Sequence, residues 1–168
     1  MSVLDTDLKC LLSGGASNSD PNASLGGIIS STEVVDDTLN NLFDEVTGDE
    51  HTAGETNYRC IYFKNNSAET AYNAKVWIES NSTGADSAIT IGLDLAGLNG
   101  TADTVANEDT APSPAVTFTT ADGQANALQL GDVPAGQIYG IWIKRVITAG
   151  STPQANDTAV LKCYIDTL

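Results

Sequence analysis

The chain has 168 residues and carries 22 acidic against 7 basic side chains, which gives a formal net charge of −15. Such a surface repels phosphate groups, so the composition argues against nucleic acid and against an anionic membrane as direct partners. A chain of this length can bury a self-sufficient core. We therefore expect one structural domain that needs no disulfide, metal or other cofactor.

Residues 1–56 are predicted to contain a strand, an extended segment and a short helix. Residues 7–12 are apolar enough for a strand, whereas residues 13–37 are rich in Gly, Ser and Asn. A structureless stretch of that length is uncommon in a compact domain unless it has a function. We interpret it as an arm that lies on a partner. Its candidate partner contacts are Leu25, Ile28 and Ile29.

Residues 38–46 show the spacing of a short amphipathic helix. The apolar residues at 39, 42, 43 and 46 follow the i, i+3, i+4, i+7 pattern, and Gly48 lies where a helix commonly ends. The acidic run over 44–50 offers the oxygen atoms that calcium prefers, but it lacks the spacing of a calcium-binding loop. We interpret it as a solvated acidic turn and predict no metal site, with a weak surface calcium site as the alternative.

Residues 57–168 are predicted to form the β-sandwich itself. Residues 57–64 are apolar on both faces, which predicts a central strand. Alternating apolar and polar residues predict strands at 71–80, 87–95, 137–148 and 158–166, with shorter ones at Val116 and Phe118 and at Leu128 and Leu130. The links are too short for crossover helices. With the N-terminal strand, seven to eight strands indicate an all-β, antiparallel β-sandwich, immunoglobulin-like or jelly-roll-like. We expect the loop at 96–114 to be solvated.

The side chains that catalysis needs are scarce. His51 is the single histidine and lies in a polar segment, and the sequence has no nucleophile elbow, phosphate-binding loop or metal-binding histidine pair. We therefore predict that the protein is not an enzyme and has no catalytic residues. Cys10, Cys60 and Cys163 lie in apolar contexts and are predicted to be reduced core thiols, with a Cys60–Cys163 disulfide as the alternative.

Trp77 and Trp142 are the two tryptophans, and each shares a strand face with a lysine, opposite the aliphatic residues of its strand. Two such rings expose more apolar surface than a monomer usually leaves uncovered. Either residues 13–56 cover them or another subunit does, so both are candidate partner contacts. If the rings are exposed on a monomer, they would instead suit a carbohydrate-binding module, because they would stack on sugar rings.

The strands and turns after residue 57 form a recognisable series. It consists of Tyr-Arg-Cys-Ile-Tyr-Phe-Lys-Asn at 58–65, Val-Trp-Ile at 76–78, Ile-x-Ile-Gly-Leu-Asp at 89–94, and Val-Pro-Ala-Gly-Gln at 133–137 leading into Ile-Trp-Ile-Lys-Arg at 141–145. This series, over residues 57–166, resembles the small virion structural proteins of tailed bacteriophages. Within that group it is most similar to the decoration, or cement, proteins on the outside of the capsid.

The resemblance implies a non-enzymatic protein that decorates and stabilises a capsid by binding the major capsid protein. It implies a location in the virion after assembly in the host cytoplasm, and the N-terminus has no feature of a signal peptide. The acidic exterior suits an outer layer that keeps particles apart. A tail, neck or fibre component would share this composition, so that alternative stays open, as does a homo-oligomer.

Overall fold

The computed structural model describes residues 3–84, 87–155 and 157–166. Within them, two antiparallel sheets pack face to face, in the orders β1-β2-β6-β4 and β5-β3-β7. The strands are β1 (Leu8–Leu12), β2 (Glu55–Asn65), β3 (Ala71–Ser80), β4 (Ala88–Leu98), β5 (Leu128–Val133), β6 (Ile138–Ile147) and β7 (Val160–Asp166). The predicted antiparallel β-sandwich is confirmed, with seven strands in the described part of the chain.

The main core lies between the two sheets and follows from strand alternation. In β2, Ile61 and Phe63 turn inward, and in β6 the same is true of Ile141 and Ile143. Their partners across the inner space come from the three-stranded sheet, including Val76 of β3. Because successive side chains of a strand point to opposite faces, the residues between them form the outer face of the four-stranded sheet.

A second apolar cluster covers that outer face. Its buried members are Cys60, Tyr62, Ala102, Val105 and Trp142. Ala102 and Val105 belong to the loop at 96–114, so this loop is solvated only in part: Asp103 is exposed, whereas these two residues are buried. Val116 and Phe118 do not form a strand and instead pack on this cluster. The domain therefore has a third layer, made of loops.

Residues 13–37 pack on their own domain, where the sequence predicted an arm for a partner. The backbone of the segment bonds to the outer edge of β1, for example through the Leu12 N–H, which donates to the Thr32 carbonyl. The fully buried Ser24 hydroxyl donates to the Cys60 carbonyl at 2.7 Å. A polar segment that cannot build its own core thus obtains its hydrogen bonds at a sheet edge, which it also shields.

Residues 38–46 do not form the predicted helix. Asp37 and Asn40 adopt φ values of +53° and +57°, which a right-handed helix does not accommodate. Leu42 and Phe43 turn instead toward the open end of the sandwich and contact the main core. The apolar character of Leu42 and Phe43 is therefore explained by their contact with the main core and not by one face of a helix.

The α-helix of the described chain, α1 (Gly48–Ala53), begins where the predicted helix was expected to end. The Thr47 side chain accepts the Glu50 N–H, and the Glu50 carboxylate accepts the Thr47 N–H. This capping box satisfies two backbone donors at the helix start and places His51 within α1. In the described residues, no helix is long and apolar enough to cross a membrane.

Candidate partner-binding groove

A groove opens above the second apolar cluster, between two loops. Residues 14–15, 23 and 25–28 form one wall, residues 101–105 form the other, and the volume is about 740 Å³. We call it the Ile28 groove. Leu25, Ile28 and Val105 contribute apolar side chains, and Asp103 is the one ionisable residue among those that line it.

Hydrogen bonds hold the two walls of the Ile28 groove together. The Gly27 N–H donates to the Ala102 carbonyl, and the Val105 N–H donates to the Leu25 carbonyl, each at 2.9 Å. The Tyr62 hydroxyl donates to the Gly27 carbonyl at 2.6 Å and accepts the Ala102 N–H at 2.8 Å. Burial raises the pKa of Tyr62 to about 12, so the hydroxyl keeps its proton at neutral pH. The groove is therefore preformed.

Two glycines permit the close approach of the walls. Gly26 and Gly27 have φ values of +89° and +77°, in the region that favours glycine. A Cβ on Gly26 would lie 2.0 Å from the Asp103 carbonyl oxygen and 3.1 Å from the ring of Trp142. A side chain at this position would therefore push the loop away from both the opposite wall and the sheet.

The three arm residues predicted to contact a partner lie in this region. Ile28 lines the groove and is 61% exposed. Leu25 also lines it, although its half-buried side chain packs on the second apolar cluster. Ile29 packs on that cluster and is half-buried. Of the three, Ile28 offers the most apolar surface to a partner.

Trp77 and Trp142 lie on different sheets and are covered by their own chain. Trp142 is 0% exposed beneath the loop layer, and Trp77 is 6% exposed on the outer side of β3. Their indole N–H groups donate to Glu79 at 2.6 Å from Trp77 and to Asp94 at 2.8 Å from Trp142. The prediction that both tryptophans contact a partner is therefore corrected, because neither ring presents a face to the outside. The sequence places them on outer sheet faces but does not show what covers those faces.

Two buried arginines lie at the end of the sandwich that residues 38–46 close. Arg59 of β2 and Arg145 of β6 project from the inner face of the four-stranded sheet and are 1% and 5% exposed. The Phe43 ring lies against both guanidinium groups, with the ring centroid 5.3 Å and 4.7 Å from their central carbons. Burial lowers the pKa of Arg145, and the neighbouring Asp44 carboxylate opposes that effect.

Acidic side chains from two segments compensate these arginines. Arg59 forms an ion pair with Glu108 at 2.6 Å, and Arg145 forms one with Asp44 at 3.3 Å. Asp44 of the acidic run is therefore an ion-pair partner, although its side chain remains 44% exposed. Glu108 also lies near Glu55 and Asp109, within a group of carboxylate oxygens that all lie within 4.8 Å of one another. Because Arg59 neutralises part of that charge, we interpret the group as an ion-pair network.

No family model, curated protein or solved structure matches this chain. The fold alone therefore defines its class, an antiparallel β-sandwich whose four-stranded sheet carries an additional layer of loops.

Proposed function

We propose that this chain is a non-enzymatic structural protein of a tailed-bacteriophage virion, which decorates the outside of the capsid by binding the major capsid protein. The observation that carries the proposal is Ile28, whose side chain is 61% exposed on a preformed groove. The resemblance of residues 57–166 to capsid decoration proteins supplies the identity of the partner.

The lining of the Ile28 groove supports binding more than catalysis. Its side chains are apolar or small apart from two threonines and Asp103. General acid–base chemistry needs a positioned group such as histidine, lysine or a carboxylate with a tuned pKa. Asp103 is exposed and lies alone among the lining residues. A groove of this kind recognises an apolar or backbone-rich segment of another protein.

The rigidity of the groove supports a stable attachment. Tyr62, Gly27 and Ala102 are joined by hydrogen bonds, so the walls need little ordering when a partner binds. Association loses less conformational entropy when the binding surface is already formed. The net charge of −15 further suits the outer surface of a particle, because equal charges keep neighbouring particles apart.

The test is co-sedimentation of the purified protein with empty heads built from the major capsid protein encoded in the same genome. We expect Ile28→Asp to weaken binding at least about tenfold, because a charge replaces a central apolar contact. Leu95→Asp is the matched control, since Leu95 is also 61% exposed but does not line the groove. Its binding should equal that of the unchanged protein.

Three outcomes would contradict the proposal. The first is that the unchanged protein does not bind heads, and the second is that both variants bind equally well. The third is that labelled protein attaches to tails or fibres of intact particles, which would favour that alternative location. The carbohydrate-binding alternative required exposed tryptophan rings, and the burial of Trp77 and Trp142 gives it no support.

A further inference from the structure

The first and last strands of the fold meet through a pair of cysteines. Cys10 lies in β1, at one edge of the four-stranded sheet, and Cys163 lies in β7, at one edge of the three-stranded sheet. Their Sγ atoms are 3.9 Å apart, although the two strands belong to different sheets. A bond between these sulfurs would join the two layers of the sandwich where no backbone ladder joins them.

A small reagent can reach this pair of thiols. Both cysteines are half-buried and line a groove of about 200 Å³, whose rim carries Asp5, Glu33 and Asp36. Lys9 forms an ion pair with Glu33 at 3.0 Å. Asp5 and Asp36 nevertheless keep the rim negative, so it repels an anionic oxidant and admits an uncharged one more readily. Neutral reagents can therefore reach the two thiols through this groove more readily than anionic ones.

Cys60 lies in a different environment. It is fully buried in the second apolar cluster, on the opposite face of β2 from the main core that Cys10 and Cys163 contact. Burial raises the pKa of its thiol, which makes it a poor nucleophile. The Cys60–Cys163 pairing considered from the sequence is therefore the wrong pairing.

We propose that Cys10 and Cys163 form a disulfide between the two sheets when the folded protein meets a small, uncharged disulfide as oxidant. This cross-link is independent of the capsid-binding proposal. It would fasten the first strand to the last at the edge of the sandwich.

The reaction is a thiol–disulfide exchange in two steps. A hydrogen bond from the Cys163 thiol lowers the pKa of Cys10, so Cys10 is the first to react. Its thiolate attacks one sulfur of the oxidant, breaks the S–S bond and releases one thiolate, which takes up a proton. Cys163 then loses its proton to solvent, attacks Sγ of Cys10 and releases the second thiol. Two protein thiols are oxidised, and one disulfide is reduced to two thiols.

The cross-link should stabilise the fold strongly. Cys10 and Cys163 are 153 positions apart, so the bond closes nearly the whole chain into a loop. Cross-linking restricts the unfolded state more as the closed loop lengthens. For a domain of this size we expect the midpoint of thermal unfolding to rise by about 10 °C or more.

The test treats the reduced, folded, full-length protein with hydroxyethyl disulfide. Free thiols should fall from three to one, the intact mass should decrease by two hydrogen atoms, and peptide mapping should link Cys10 to Cys163. Cys60→Ala should retain the mass change and the thermal shift. Cys163→Ser should abolish both, and Cys10→Ser should do the same.

Three results with the unchanged protein would each overturn the proposal: it keeps three free thiols, it accumulates only mixed disulfides with the reagent, or it forms a link that involves Cys60. An equal thermal shift in oxidised Cys163→Ser would also overturn it, because the stabilisation would then have another source.

Discussion

The guanidinium group of Arg59 lies 2.6 Å from the carboxylate of Glu108, which belongs to a distant loop. Arg59 points from β2 toward the end of the sandwich, while the Glu108 carbonyl accepts the Tyr58 N–H at the edge of the same strand. β1 covers that edge of β2 only from Ile61 onward. The loop therefore extends the sheet edge and, at the same point, compensates a buried charge.

This ion pair leads to a prediction about stability. We expect Glu108→Gln to lower the free energy of unfolding by about 2 kcal/mol, because it leaves the buried Arg59 guanidinium with weaker compensation. Asp103→Asn removes the same charge from an exposed position in the same loop and should change stability by less than about 0.5 kcal/mol. Urea unfolding at neutral pH measures both. Equal losses would mean that the Arg59–Glu108 contact adds nothing specific.

Phe43 allows a second test of the end of the sandwich. Its ring contacts both buried guanidinium groups and the main core, so Phe43→Ala should cost about 3 kcal/mol. Phe43→Leu keeps most of the apolar volume and should cost about 1 kcal/mol. Leu39, which is 65% exposed in the same segment, is the control, and Leu39→Ala should be nearly neutral. Should Leu39→Ala cost as much as Phe43→Ala, the segment does not pack as described.

The strands could be predicted because their signal is local. β6 alternates along the sequence, whereas β2 is apolar on both faces, as a central strand can be; in both strands the period of two determines which side chains share a face. The same period assigns Arg59 and Arg145 to the inner face, where charges are unexpected. Only the folded chain shows that Phe43 and Glu108 come to meet them, because both lie in segments whose position depends on long-range contacts.

The loop layer and the Ile28 groove could not be predicted for a related reason. Residues 13–37 are polar and rich in glycine, a composition typical both of a free arm and of a loop that follows a sheet edge. Ile28 was identified from its apolar character alone. The opposite wall gave no signal, because the roles of Ala102 and Tyr62 follow from a contact between residues far apart in the chain.

A third prediction concerns pH. A hydrogen bond with Asp109 and, to a smaller extent, burial raise the pKa of Glu55 in the folded state. A raised folded-state pKa contributes stability that is present below the unfolded pKa and is lost as pH rises through the folded value. At neutral pH the charge on Glu55 is therefore unfavourable in the folded protein.

Glu55→Gln should therefore stabilise the protein at neutral pH, by no more than about 0.5 kcal/mol, because solvent screens the partly exposed Glu55 and the exposed Asp109. The gain should shrink or reverse near pH ~4.3, the ordinary value for a glutamate, where Glu55 of the unchanged protein takes up a proton. Unfolding curves of both proteins at the two pH values measure the difference. A gain that is the same at both pH values would contradict a raised pKa of Glu55, and Glu45→Gln serves as the control for removing one acidic charge.

The last prediction concerns the hydroxyl that joins the walls of the Ile28 groove. Tyr62→Phe removes the donor to the Gly27 carbonyl and leaves the buried Ala102 N–H without its acceptor, which should cost about 1–3 kcal/mol. Because the aromatic ring is retained and still fills the second apolar cluster, the sheets should remain folded. The loss should therefore appear locally, as faster hydrogen exchange of the Ala102 amide than of the amides in β6.

Tyr164→Phe is the matched control, because Tyr164 is 41% exposed on β7 and lies outside the groove. It should leave both the stability and the Ala102 exchange rate unchanged. If Tyr62→Phe also leaves that exchange rate unchanged, the hydroxyl does not hold the walls together and the groove owes its shape to the backbone bonds alone. If exchange accelerates while binding to heads is retained, the rigid groove is not needed for attachment, because a loosened wall would then serve the partner equally well.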